Sequence, residues 1–321
     1  MSVPPTSQAP AAAGDAKAEP AAKKKSRRER RHERKDRKPF LIGRRATVVS
    51  WASKVLIAIG VLFLLFIGFE LVIGGLAHTE DQGRLLSQFK TLVASGRAAK
   101  PTWHPTPGQP IAQIAIPKIG VQEVVVQDTT PELMKGGPGH FLNTPLPGYP
   151  GNSVIAGRRV SHGGVFRHLG DLAVGDAITL ITPQGAFAYE VGAAPHIVAA
   201  GQPDVFAPTT LPTLTLVTSD SAFSTRGRLV VTATLQGSPL TAVPIPVIQL
   251  TRPQLGLAGD TGAVVAIIPW ALAFIVALFG ARALRRRVES RKAFLFVALP
   301  AFLFVLFFLF ENIDRLLPGT I

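Results

Sequence analysis

The 321-residue chain contains no cysteine. That excludes a disulfide, a thiolate metal site and a cysteine nucleophile. A domain on the outer side of a membrane would tolerate disulfides, so one placed there must rely on its core. Acidic residues are also scarce, 20 against 34 Lys and Arg, which leaves a formal net charge of +14. Charge is almost missing from three long apolar runs, Val55–Leu76, Gly262–Ala281 and Ala293–Phe310, where only Glu70 is ionisable. No internal repeat, metal-ligand spacing or phosphate loop is present, so no metal or other cofactor is expected.

Those runs measure 22, 20 and 18 residues, and a helix crossing the bilayer core needs ~20 apolar residues. All three read as transmembrane helices. The positive charge clusters beside them. Residues 1–45 carry net +9 and the loop 282–292 net +5, whereas 80–261 is nearly neutral. Basic flanks stay cytoplasmic. The N-terminal arm and the 282–292 loop are therefore expected inside, and 80–261 with the 311–321 tail outside. Each side follows from the previous crossing, and both basic segments fall on the same one. A run such as Lys23-Lys24-Lys25-Ser26-Arg27-Arg28 is also compatible with nucleic acid. Next to an apolar helix, contact with anionic lipid head groups is the preferred reading, with no nucleic acid partner. Val55–Leu76 is too long for the apolar core of a signal peptide, so an uncleaved anchor is expected.

Residues 1–22, rich in Ala and Pro, lack apolar periodicity and, with the basic run, are expected to form a disordered arm over 1–45. A stalk over 77–106 begins with helical spacing at Leu85, Leu86 and Phe89. It breaks in the Pro-rich stretch Pro101–Pro107. From Ile111 the pattern changes to short β-branched runs. Strands are expected near 111–116 and 121–126, at Ser153–Ala156, Ala177–Ile181, Ala186–Val191, His196–Ala199 and Thr213–Thr218, and over Arg228–Leu235. Turn residues between them, such as Pro183-Gln184-Gly185, predict a sandwich or barrel. Pro131–Lys135 and Val165–Leu169 read as short helices, and 237–261 as an extended tether. Trp51 and Trp270 suit interfacial anchors.

The specific motifs lie between Lys135 and Val231. They are Lys135-Gly136-Gly137-Pro138-Gly139-His140, Thr144-Pro145-Leu146-Pro147-Gly148-Tyr149-Pro150-Gly151-Asn152, and Ala156-Gly157-Arg158-Arg159. Then come Phe166-Arg167-His168-Leu169, Thr215-Leu216-Val217-Thr218-Ser219 and Arg228-Leu229-Val230-Val231. In this order the set resembles the sortases, and most the class E type of actinobacteria, over about 107–236. The resemblance implies a mainly β protein with a sortase-type β-barrel; together with the apolar runs, it gives a barrel held outside the plasma membrane by three transmembrane α-helices. It also implies transpeptidase chemistry. A cysteine thiolate cuts a sorting signal between Thr and Gly, a histidine protonates the leaving amine, and an arginine steadies the oxyanion.

The resemblance places Ser219 at the cysteine position, Arg158 at the histidine position, and Arg228 at the arginine position. A serine hydroxyl needs a general base, and a guanidinium stays protonated and cannot serve as one. The pair of changes points to natural loss of chemistry. Thr218, His162, Arg159 and His140 complete the possible groove. His140 falls in what the family uses as a structural turn, and His162 in a Gly-rich loop that could swing toward Ser219. His168 reads as a surface residue. Arg158 and Arg228 either flank Ser219 and bind an anion or peptide carboxylate, or Arg158 pairs with a nearby acid.

The leading expectation is a pseudoenzyme. It would bind a peptide or surface protein in its groove, or a membrane protein through the second and third helices. Small residues at Gly262, Ala263, Ala266, Ala271 and Ala273 permit close helix approach; packing on the first helix is the plainer use. The rival is an active enzyme with Ser219 as nucleophile, His162 as base and Arg228 on the oxyanion. An engineered inactivation is a third reading. Leu76-Ala77-His78-Thr79-Glu80 and Leu317-Pro318-Gly319-Thr320 loosely resemble sorting signals. The first lacks the final Gly, the second has its order altered, and neither is followed by an apolar helix and basic tail. Both read as accidents.

Overall fold

A computed structural model describes residues 43–100, 103–200, 203–222, 226–245, 247–251, 254, 259–288 and 290–321. The chain divides into two compact units, Met1–Gly60 and Val61–Ile321. The expected disordered arm lies outside the described residues as far as position 42. From Gly43 onward the chain is helical. Helix α1 (Gly43–Gly68) passes through one wide π turn at Phe69–Ile73 into α2 (Gly74–Ala94). The stalk is thus a continuation of the anchor helix, and it ends six residues before the Pro-rich stretch.

Among the described residues three helical stretches, Ser53–Ala94, Ala263–Arg287 and Phe294–Asp314, are long and apolar enough to cross a membrane. Helices α3 (Ala263–Arg287) and α4 (Arg291–Asp314) outrun their apolar segments. Arg285, Arg286 and Arg287 fill the last turn of α3, where cations suit the helix dipole, and Arg285 Nη1 donates to the Val288 carbonyl at 3.0 Å. The expected 282–292 loop shrinks to about three residues. The two helices pair through Trp270 stacked on Phe308, with centroids 4.6 Å apart, and through Phe274 against Phe302. Phe307 and Phe310 of α4 meet Phe66 and Phe69 edge-on.

Among the described residues nine strands follow α2: β1 (Pro110–Ile116), β2 (Val121–Gln127), β3 (Gly139–His140), β4 (Asn152–Ala156), β5 (Ala177–Thr182), β6 (Gly185–Val191), β7 (His196–Ala199), β8 (Thr213–Ser219) and β9 (Gly227–Gln236). The sheet order is β6-β5-β1-β2-β3-β4-β8-β9-β7, and a β6–β9 pairing closes eight of the strands into a barrel. Closure removes the edges that would otherwise invite aggregation. Alternate residues point inward along each strand, so Ile114, Ile116, Ile178, Leu180, Tyr189, Val191, Leu214, Leu216 and Val231 fill one core, with Phe166 and Leu169 from the β4–β5 connection.

Two expectations need correction. His140 is not in a turn. It forms a two-residue strand, parallel to β2 and antiparallel to β4, too short to show any periodicity. The helix expected over Val165–Leu169 is a turn, followed by one 3-10 turn at Leu169–Asp171.

The anchor helix docks on the barrel through one face. Leu85 and Phe89 pack with Val124 and Val126. Gln82 accepts from the Val124 N–H at 2.7 Å and donates to the Gly136 carbonyl at 2.7 Å. His78 lies between the Lys135 carbonyl at 3.1 Å and Glu123 at 3.2 Å. Gly163, at φ +82°, sits so close to the His78 ring that a side chain there would collide with it.

Candidate functional site

Strands β4 and β8 run parallel, with Ala156 beside Val217. Arg158 and Ser219 therefore leave the barrel at the same end. Strand β9 returns antiparallel to β8 and sets Arg228 directly across from Ser219. The register brings together the three positions that sequence comparison with the sortases singles out.

All three are buried and hydrogen-bonded. Ser219 is fully buried. Its hydroxyl lies 3.0 Å from Thr320 Oγ1, and its carbonyl accepts from Arg159 Nη1 at 2.8 Å. Thr218 Oγ1 donates to the Gly157 carbonyl at 2.8 Å. Arg228 is buried, with Nη1 donating to the Gly227 carbonyl at 3.1 Å. Burial pulls its value below the usual guanidinium range, and the Asp220 carboxylate opposes that fall.

Arg158 is 1% exposed. Its Nη1 donates to Ser161 Oγ at 2.7 Å and lies 3.3 Å from Asp314 Oδ1, while Nη2 donates to the Pro131 carbonyl at 2.9 Å. Of the two expectations for Arg158, pairing with an acid is the one the geometry bears out. That acid comes from the end of α4. Asp314 is shared: Lys135 Nζ lies 3.2 Å from its other oxygen, 2.5 Å from Glu311 and 3.2 Å from Glu132. Burial works against the Lys135 ammonium, but these carboxylates outweigh it and hold its pKa above the usual lysine value.

The three histidines singled out in the sequence face other partners. His162 adopts φ +46°, and its Nδ1 faces Glu70 at 3.5 Å while its ring lies against Gly74. Burial, backed by the neighbouring Arg158 guanidinium, pushes His162 down to about 3. His140 is fully buried between Gln127 Oε1 and the Pro145 carbonyl, each at 3.0 Å, and burial takes it down to about 4. His168 is an exposed partner of Asp171, 3.0 Å away.

Glu70, His162 and Asp314 form a buried group whose donor atoms lie within 4.8 Å of one another. Sequence reading missed it because its members are scattered across the chain. Both Asp314 oxygens already face cations, Lys135 and Arg158, which fill the role a metal would have. Asp314 and Lys135 had not stood out as site residues. Their signal was weak, one of two acids just beyond an apolar run and a lysine before a Gly-Gly pair.

The sortase domain family matches residues 114–236. Sortase SrtE1 of Streptomyces coelicolor is 29% identical over 217 residues, covering 65% of this chain and 58% of that protein. Sortase D of Bacillus subtilis is 33% identical over 92 residues, covering 29% and 45%. Among solved structures, sortase E of Streptomyces avermitilis is 29% identical, with 41% of this chain and 91% of that chain covered and a TM-score of 0.37. The chain spans about half the length of the curated relatives it matches. Residues 114–236 are a sortase-family domain, and class E sortases are among the chain's relatives.

Proposed function

We propose that this protein is a membrane-anchored sortase-fold protein in which transpeptidation is silent, and that its rim serves binding and assembly at the cell surface. The carrying observation is that the Ser219 hydroxyl is paired with Thr320 rather than with a base. Nucleophilic serine catalysis requires a base within hydrogen-bond reach. Arg158 holds the family's histidine position, but a guanidinium is no general base, and this one is fixed by Ser161, Asp314 and Pro131. His162, the alternative base, faces Glu70, and a value of about 3 makes it a poor proton acceptor. The basic flanks support a cytoplasmic N-terminus and an extracytoplasmic barrel, with anionic lipid at the arm. Exposed apolar faces on α3 and α4, such as Val265, Val276, Phe279 and Phe296, suit lipid or another membrane helix.

The test mixes the full chain in detergent with sorting-signal peptides and an amine acceptor, read by mass spectrometry. The expected result is intact peptide. Cleavage or transfer that Ser219→Ala abolishes would establish a serine transpeptidase instead.

A further inference from the structure

We propose that the groove beside Ser219 is a peptide-binding site whose resident ligand is residues 317–321 of the same chain. The inference rests on reading this rim as the groove of the fold, and holds whether or not chemistry survives there.

Beyond α4 the chain turns back on the barrel, with Leu317 N–H donating to the Asp314 carbonyl at 2.9 Å and Ile321 N–H to the Pro318 carbonyl at 3.0 Å. Pro318, Gly319, Thr320 and Ile321 are all buried. The groove wall recognises their backbone. Arg159 N–H donates to the Thr320 carbonyl at 3.1 Å, and Val160 and Ser161 N–H donate to the backbone oxygen of Ile321 at 2.7 and 3.1 Å. Side chains add a second set of contacts: Thr218 Oγ1 lies 3.4 Å from the Thr320 carbonyl, and the Ser219 and Thr320 hydroxyls are 3.0 Å apart. Gly319 is pressed on Met134 and Pro131, where a Cβ would meet Sδ at 3.1 Å and Pro131 Cα at 3.3 Å. Main-chain bonds give a peptide groove affinity, and tight positions give it selectivity. This rim has both.

The ligand is tethered. Asp314 at its root is held by Arg158 and Lys135, and Arg315 Nη2 by Asp260 at 2.8 Å. A short tether raises the effective concentration of the segment to roughly the millimolar range. A free peptide at micromolar concentration cannot compete with it. The site therefore opens only when the segment leaves.

The absence of native cysteine makes the test clean. The full chain carrying Ser219→Cys with Thr320→Cys is oxidised in detergent, and linked peptides are identified by mass spectrometry. Cross-linking is expected to outpace that of Ser219→Cys with Thr209→Cys, an exposed position, by roughly 100-fold. A second arm follows maleimide labelling of Ser219→Cys alone. Labelling is expected to be slow, to rise by roughly the same factor when Gly319→Trp expels the segment, and to fall again when a synthetic peptide of residues 315–321 is added at millimolar concentration. No preferential cross-link, with rapid labelling of the single variant, would overturn the resident ligand. Labelling of the Gly319→Trp variant that the peptide does not slow would overturn the binding site. If Gly319→Trp with native Ser219 cleaved sorting-signal peptides, the silent reading would fall while the resident ligand stood.

Discussion

The barrel interior and the groove rim are both buried but held by opposite means. Inside the barrel, Ile114, Leu180, Leu214 and Val231 are 0% exposed, and their attraction is non-directional and proportional to area. At the rim, Arg158, Lys135 and Asp314 are nearly as buried and depend on paired charges. A buried pair offsets its desolvation only while both partners are present. The interior should therefore yield gradually to substitution, and the rim abruptly.

That contrast can be broken in order of expected effect. Asp314→Ala leaves the buried Arg158 without its carboxylate, and should cost about 3–5 kcal/mol in denaturant unfolding of the detergent-solubilised chain. A loss below about 1 kcal/mol would mean that the guanidinium finds water instead. Leu214→Ala, in the interior, should cost about 2–5 kcal/mol by transfer and cavity terms, without exposing the rim to labelling. His140 gives a pH signature. Its value is about 4 in the fold against ~6.5 in an unfolded chain, so the unfolded chain binds more protons between those values. Stability is complete above ~6.5 and should fall as the pH drops toward 4, with a slope of at most about 1.4 kcal/mol per pH unit from this group. His140→Gln should remove that share of the slope, which thermal unfolding at pH 7 and pH 5 would show. The smallest effect is Thr320→Val, which removes the hydroxyl facing Ser219 and should cost about 1 kcal/mol.

The same contrast explains what was legible in the sequence. Eight strands could be read because β-branched residues and turn signals mark them locally, and the helices because their apolar runs are unbroken. Strand β3 was missed, since Gly139–His140 depends on β2 and β4 for its existence. Ser219 and Arg158 stood out by their neighbours, but the partner of Arg158 did not. Asp314 lies 156 positions away, and nothing in local pattern links the two. Leu317-Pro318-Gly319-Thr320 was set aside for lacking a following apolar run. Its placement depends on where α4 ends, which is a fact of three dimensions.

On the proposed reading, Arg158 serves structure through its pair with Asp314. A double-mutant cycle tests this most directly, with Arg158→Met, Asp314→Leu and the pair together, each unfolded by denaturant in the same detergent. A coupling of about 2 kcal/mol or more between the two sites, with the pair more stable than either single variant, is the predicted result. Additive losses would contradict it.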